Sequence, residues 1–354
     1  MTTSNSKDSR TNSERPQINR EGSQSGADHV RMAQATAGRV GSAGCVAACL
    51  WLAVAAGVRA QDGKTGYQFL NVPAGAHTAA LGGQNISIVE NDASMMWTNA
   101  AMLANVGDNA LTLGYNSYIS SSNMYAAGFA KSVGERGTWA IGAQMLDYGT
   151  MDETDEKGQV MGTFSVKDIN VQTSYSYLLT ERWSGALTAK VIMSNYANYS
   201  STAIGADLAL NYFDEESGMS LSVVGRNLGG QINSLYEDGD RESLPFDLAL
   251  GYSKDFANAP MRVSLTLDDL THWDDVKLIQ HVVLGMDILP SPNTWIAFGY
   301  NFRRAKEMKV ANKNQWAGLS LGAGLNVKRF KVGVAYGKYH VAASSVVLNV
   351  GVDF

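Results

Sequence analysis

The groups that could do chemistry in this sequence are few and scattered. Of five histidines, His77, His272, His281 and His340 lie in the body of the chain, and none has a neighbour at metal-ligand spacing. There is no G-x-S-x-G nucleophile turn, no phosphate-binding P-loop and no H-E-x-x-H pair. Each histidine reads as an ordinary solvated or hydrogen-bonded side chain. Three acidic stretches, 152–156, 237–242 and 268–275, have the carboxylates to hold a hard divalent cation, but none has the spacing of a dedicated calcium loop. They read as solvated loops. The sequence therefore predicts no enzyme, no cofactor and no resident metal.

Charge excludes another class. Lys and Arg total 28 against 33 Asp and Glu, for a net charge of -5, and the basic residues form no stripe, so nucleic acid is not an expected partner. Both cysteines, Cys45 and Cys49, fall in a segment that has the character of a leader. Residues 1–31 are polar without apolar periodicity and read as a disordered extension, with Met32 an alternative start. Residues 32–60 have the form of a secretory signal: Arg39, a short apolar run around Leu50, Trp51 and Leu52, then Val58-Arg59-Ala60 as a small-x-small cleavage site. The mature chain then starts at Gln61. Val46-Ala47-Ala48-Cys49 has a lipoprotein-like outline, but the main apolar run follows Cys49 rather than preceding it.

What positions the remaining residues is β structure. In the closing stretch 344–354, Val346, Leu348, Val350, Val352 and Phe354 alternate with Val347, Asn349, Gly351 and Asp353. The same period recurs upstream. Candidate strands fall at 109–118, 123–132, 137–147, 164–179, 183–195, 200–213, 218–227, 244–256, 260–268, 277–289, 293–303, 315–326, 329–338 and 343–354. About fourteen strands, even in number and near ten residues each, are the requirement of a bacterial transmembrane barrel.

Connections sort by parity. Every second one (133–136, 180–182, 214–217, 257–259, 290–292, 327–328) is short, whereas 148–163, 228–243, 269–276 and 304–314, all in the other set, are long and polar; that set also holds short members at 119–122, 196–199 and 339–342, so long connections occur in one set only. Short periplasmic turns opposite longer outer loops are a barrel property that a soluble sandwich does not share. Aromatics agree: Trp139, Trp183, Tyr212, Phe256, Trp295, Phe330 and Phe354 fall at one level, and Tyr118, Tyr125, Tyr148, Tyr196, Tyr300 and Tyr336 at the other. Lys190, Asp207, Arg226, Asp247, Arg262 and Asp287 take the less apolar phase, the lumen side, where they either pack around a plug or line a ligand path. The expected fold is an all-β outer-membrane antiparallel barrel over 108–354, closed by pairing of 109–118 with 344–354, with both termini periplasmic. Phe354 at the periplasmic rim is the expected signal to the barrel assembly machinery.

Residues 61–107 differ, with a Gly82-Gly83 pair, an extended piece at 86–89 and a helix capped by Asn91 or Asp92. They predict a plug-like segment. The pattern GAHTAALGG followed by DASMMWTNAAML resembles the amino-terminal region shared by FadL-type fatty-acid channels and the PorV/PorQ proteins of the type IX secretion system, and is most similar to PorQ. Asn99-Ala100-Ala101-Met102-Leu103 lacks the Pro and Gly that many members carry there. The resemblance implies a barrel that holds a soluble, PorZ-like surface protein of the attachment complex, beside outer-membrane lipid and lipopolysaccharide. Tyr236, Trp273, Arg303 and Arg304 in the outer loops are the candidate contacts, because aromatics and Arg dominate interface energy. The alternative it implies is a FadL-like channel for hydrophobic molecules, with an apolar pocket near the plug and a kinked strand, for which Gly318, Gly322 and Gly324 offer bends or merely room inside the wall.

Overall fold

A computed structural model describes residues 66–119, 121–155, 157–197, 199–234, 241–272, 277–307, 316–338 and 344–354. Residues 1–31 and 32–60, on which the expected extension and signal fall, and the candidate contacts Tyr236 and Trp273, lie outside them. The described chain forms one closed antiparallel barrel of fourteen strands in sequential order, β1 (Ala110–Ser117) through β14 (Ser345–Asp353). Closure is the expected pairing: Ala110 faces Asp353 and Ser117 faces Val346, with every residue between in register. The backbone amide of Phe354 donates to Asn109.

Alternation explains why this sequence closes inside-out. Val346, Leu348 and Val350 are exposed while Val347 and Asn349 between them are buried. Around the wall the exposed phase is Leu113, Ile141, Val171, Leu187, Leu221, Leu284 and Leu321, and the buried phase includes Thr112, Gln144, Asn170, Ser222, Ser264 and Ser320. An apolar exterior over a polar interior is stable only where lipid surrounds it. No described helix is long and apolar enough to cross a membrane.

Three elements depart from expectation, one of them the strand expected at 218–227, which runs on to Asn233 and takes the first residues of the anticipated loop 228–243. The anticipated loop 148–163 is strand: β3 (Gly137–Thr154) and β4 (Val160–Leu178) continue as a paired ribbon through a bulge near Gly149, leaving only a short tip. Its Asp, Glu and Gly content disguised it, because backbone pairing rather than side-chain propensity carries a ribbon. The expected strand 277–289 instead begins at Val282, after a 3-10 turn over Leu278–His281.

Residues 66–107 fill the lumen. They run as a 3-10 turn (Gln68–Asn71), a short helix α1 (Ala76–Ala80), a Gly82-Gly83 turn, and two further 3-10 turns, Ala93–Trp97 and Ala100–Asn105. Side-chain caps begin the last two turns, and the first of them, Asp92, is one of the two caps the sequence offers. The Asp92 carboxylate accepts from the Ser94 amide at 2.8 Å, and Asn99 Oδ1 accepts from the Ala101 amide at 3.0 Å while its Nδ2 donates to the Ile86 carbonyl at 2.7 Å. Asn99 thus performs the turn without the Pro and Gly of the related motif. The plug packs on the whole circumference: Phe69 and Val72 against Met124, Leu146 and Ile192, Ala79 and Leu81 against Ala297 and Ala335, Met96 and Leu103 against Ala130 and Ala140, and Ile86 against Val224 and Ala249. Wall alanines make the space that the plug occupies.

Candidate functional site: the pinned plug and the two rims

The lumen-phase charges are consumed in fixed pairs. Lys190 Nζ lies 2.7 Å from Asp207 and 2.8 Å from Asn227 Oδ1. Arg226 joins Asp247 on the wall, Asp268 at the start of an outer connection (2.6 Å) and Gln84 of the plug (3.0 Å). Arg262 bridges Asp255 at 2.6 Å to Glu90 of the plug at 2.8 Å. Packing around a plug is therefore the role these residues fill.

His77 is the centre of the second cluster. Its Nδ1 is 2.8 Å from Glu90 and its Nε2 2.8 Å from Asp287, and the ring stacks on Trp295 at 3.9 Å with 2° between planes. A histidine facing a carboxylate at each nitrogen donates from both, which requires the imidazolium. Burial opposes that charge, but Glu90 and Asp287 outweigh it and raise the His77 pKa to about 10. Burial likewise opposes the Glu90 anion, and His77 and Arg262 outweigh it, lowering its pKa to about 2. Both groups belong to the plug, outside the spanning strands. The sequence treated His77 as an ordinary side chain and Trp295 as a girdle aromatic. Trp295 does sit near the short-turn rim, but it faces the lumen, across Gly324, where an added Cβ would lie 2.3 Å from the indole. Tyr118 and Tyr148 also turn inward, against the buried cluster around Phe69, and Tyr148 donates to Asp168 at 2.7 Å. Trp139, Trp183, Phe256 and Phe330 are exposed, as a girdle requires.

The Gly82 turn is gripped from the long-loop side. Its amide donates to Ser320 Oγ at 2.9 Å, and its carbonyl accepts from Asn301 Nδ2 at 3.3 Å and from Arg304 at 3.1 Å. Arg304 lies on the helix α2 (Phe302–Glu307), and its neighbour Arg303 pairs with Asp269 and, at 2.7 Å, with Glu307. Of the four anticipated partner contacts, the two described ones thus hold loops and plug together. Asp268 and Asp269, read as solvated loop acids, face Arg226 and Arg303.

The kink is not in the glycine-rich strand. β12 (Leu319–Val327) pairs without a break, and Gly322 leaves room for Ala80 of the plug, 2.7 Å from where its Cβ would be. The irregular strand is β7 (Met219–Asn233): Asn227 has φ 59, the ladder with β6 (Tyr199–Asp214) shifts register, and pairing with β8 (Asp247–Asp255) stops at Arg226 facing Asp247. Beyond it only a Gly230–Ser243 bridge is seen among the described residues. At the opposite, short-turn mouth, a cavity of about 720 Å³ opens over His77, Glu90, Arg262, Trp295 and Lys331. Within the described residues, Tyr67 of the plug bonds Ser201 near the long-loop rim at 2.8 Å, whereas Phe354 lies at the short-turn rim.

Solved structures with this plan place the fold. The monoaromatic hydrocarbon channel CymD superposes with a TM-score of 0.52 at 14% identity, over 80% of this chain and 98% of its own. A Pseudomonas aeruginosa FadL homologue gives 0.50 at 10%, over 79% and 98%. The fold is that of a FadL-like outer-membrane barrel. The Pseudomonas putida toluene transporter TodX agrees, at 0.50 and 12% identity over 79% and 97%. The family model described as "Uncharacterised protein family (UPF0164)" matches residues 44–187 of this chain. No curated protein sequence matches it.

Proposed function

We propose that this FadL-like barrel is an outer-membrane component of the type IX secretion system that holds a soluble, PorZ-like protein of the cargo attachment complex at the cell surface. The observation that carries the reading is the seal. The plug packs against every sector of the wall and is tied to it through Arg226, Arg262, Asp287 and Arg304, so the outer rim is the surface left to act on. The short turns then face the periplasm with Phe354, the long loops face outward beside lipopolysaccharide, and Tyr236 and Trp273 remain candidate contacts. The amino-terminal pattern over residues 66–103 supports the same family.

Deleting the gene is the test. The soluble attachment factor should pass from the cell surface to the medium; unchanged surface retention together with lost uptake of long-chain lipids would overturn the anchoring reading. Removing Phe354 should impair barrel insertion, read as loss of the heat-modifiable band from outer-membrane fractions, while export across the inner membrane continues. Normal insertion of that variant would count against a terminal assembly signal.

A channel for hydrophobic molecules is the second reading. The named functions of CymD and TodX favour it, as does the broken ladder beside Asn227. Arg226, Asp247 and Asp268 next to that break offer an apolar solute a charged passage, which disfavours it.

A further inference from the structure

The paired ribbon of β3 and β4 outruns the barrel. β2 (Asn123–Val133) stops pairing with β3 where Asn123 faces Asp147, and β5 (Trp183–Tyr196) stops pairing with β4 where Tyr196 faces Val166. The β3–β4 ladder continues past both, from Thr150 opposite Ser165 to Thr154 opposite Val160. At the usual rise per residue this ribbon projects roughly 20 Å along the strands beyond the rim, and apart from the Ala197 amide donating to the Ser165 carbonyl no neighbouring strand pairs with either edge among the described residues.

Its side chains are unusual for such a place. Met161 is 72% exposed, Val160 60% and Met151 41%, on a stretch of β3 and β4 beyond the roughly 9–11 residues that a strand needs to cross the hydrocarbon core. Free edges in water are normally blunted with Lys and kept poor in large apolar groups. Here the ribbon strands carry Asp152 and Glu153, and the tip adds Asp155, Glu156 and one lysine, Lys157. Alternation sets Met151 and Phe164, which face each other, with Glu153 on the barrel-axis side, and Asp152, opposite Thr163, with Met161 on the outer side, so each face of the ribbon carries a methionine near an acid. Methionines adapt to the shape of a partner, and acid beside them repels an anionic glycolipid surface while attracting a basic one.

We propose that residues 150–154 and 160–165 form the docking element for the soluble surface protein, and that this protein presents basic side chains around an apolar patch. The proposal rests on the anchoring reading and names its contact surface.

The test uses the full chain in lipid nanodiscs and, as probe, the purified soluble protein that gene deletion releases from cells. Asp152→Lys with Glu153→Lys should weaken binding at least tenfold, and Met151→Ser with Met161→Ser severalfold, whereas Asp152→Glu with Glu153→Asp should bind like the unaltered chain. Raising salt should weaken the unaltered complex and not the charge-reversed one. In cells the charge-reversed barrel should insert normally, with unchanged heat modifiability, yet release the factor. If gene deletion releases the factor and the ribbon variants still bind and retain it fully, the docking proposal fails alone. If deletion releases nothing, the anchoring reading fails and the docking proposal falls with it. Tighter binding of the ribbon to lipopolysaccharide vesicles than to the purified factor would also overturn it.

Discussion

Gly299→Ala should expel the plug while leaving the barrel standing. On β11 (Thr294–Asn301) the strand backbone meets the plug backbone directly: a Cβ at 299 would lie 2.1 Å from the Gly82 nitrogen, 2.3 Å from the Leu81 carbonyl carbon and 2.6 Å from the Ala80 oxygen. No contact of that length survives, and the atoms met are main chain, not the flexible end of a side chain that could swing away. The turn cannot retreat either, because Gly82 has φ +94 and is held through both its amide and its carbonyl. The strand, by contrast, keeps its ladders, since a lumen-facing methyl does not touch the pairing with β10 (Val282–Ser291) or β12. The unaltered chain should be silent in planar bilayers, and Gly299→Ala should give stable ionic conductance, because a barrel of this strand number is wide once emptied. Gly230→Ala, whose Cβ would meet nothing within 4 Å, is the control and should stay closed. A closed Gly299→Ala barrel with a protease-resistant plug would show that the seal does not depend on this approach.

The wall was legible from sequence, and the lumen was not, for a physical reason. Strand alternation is local, so Leu348 beside Asn349 already states which side faces lipid, and closure follows from an even strand count and a greasy last strand. Loop parity fixed the two rims equally well, except where the β3–β4 ribbon carried strand pairing into acidic sequence. The plug's contacts are of another kind. His77 meets Asp287 across 210 positions of chain, and Gly82 meets Arg304 across 222. Nothing near His77 announces a carboxylate on each nitrogen. Trp295 has the type and depth of a girdle residue, and only its phase, shared with Ala297 and Gly299, marks it as lumenal. Phase was the available signal: applied to Trp295 as it was to Lys190 and Arg226, alternation would have turned it inward. Arg303 and Arg304 were read by residue type alone, which says that an arginine has partners and not which ones.

Arg262→Met should loosen the plug more than any other single change in the charged lumen. Around Arg262 stand Glu90, Asp255 and Asp287, with His77 as the other cation. Removing one of those carboxylates leaves the cluster closer to neutral, whereas removing the guanidinium leaves Glu90 and Asp287 sharing one imidazolium and takes from Asp255 the cation it faces. Stranding buried charge in this way costs about 3–5 kcal/mol. Amide exchange over residues 76–106 should therefore accelerate by roughly two to three powers of ten, with strand amides far less affected. Arg262→Lys, which keeps the charge and loses the fork, should recover part of the protection. Acidity separates an electrostatic loss from a packing loss. In the unaltered chain the His77 contribution is complete below its ordinary value of 6.5 and is lost as pH rises through about 10. The Glu90 contribution is complete above its ordinary 4.5 and is lost as pH falls through about 2. Without Arg262, Glu90 loses one of the two cations that lower its pKa, so it takes up a proton at milder acidity and the repulsion eases. The variant's excess exchange should accordingly shrink between pH 8 and pH 5, over a range in which the unaltered plug keeps its Glu90 contribution. An excess that stays constant across that range would mean that Arg262 fills space and its charge does not hold the plug.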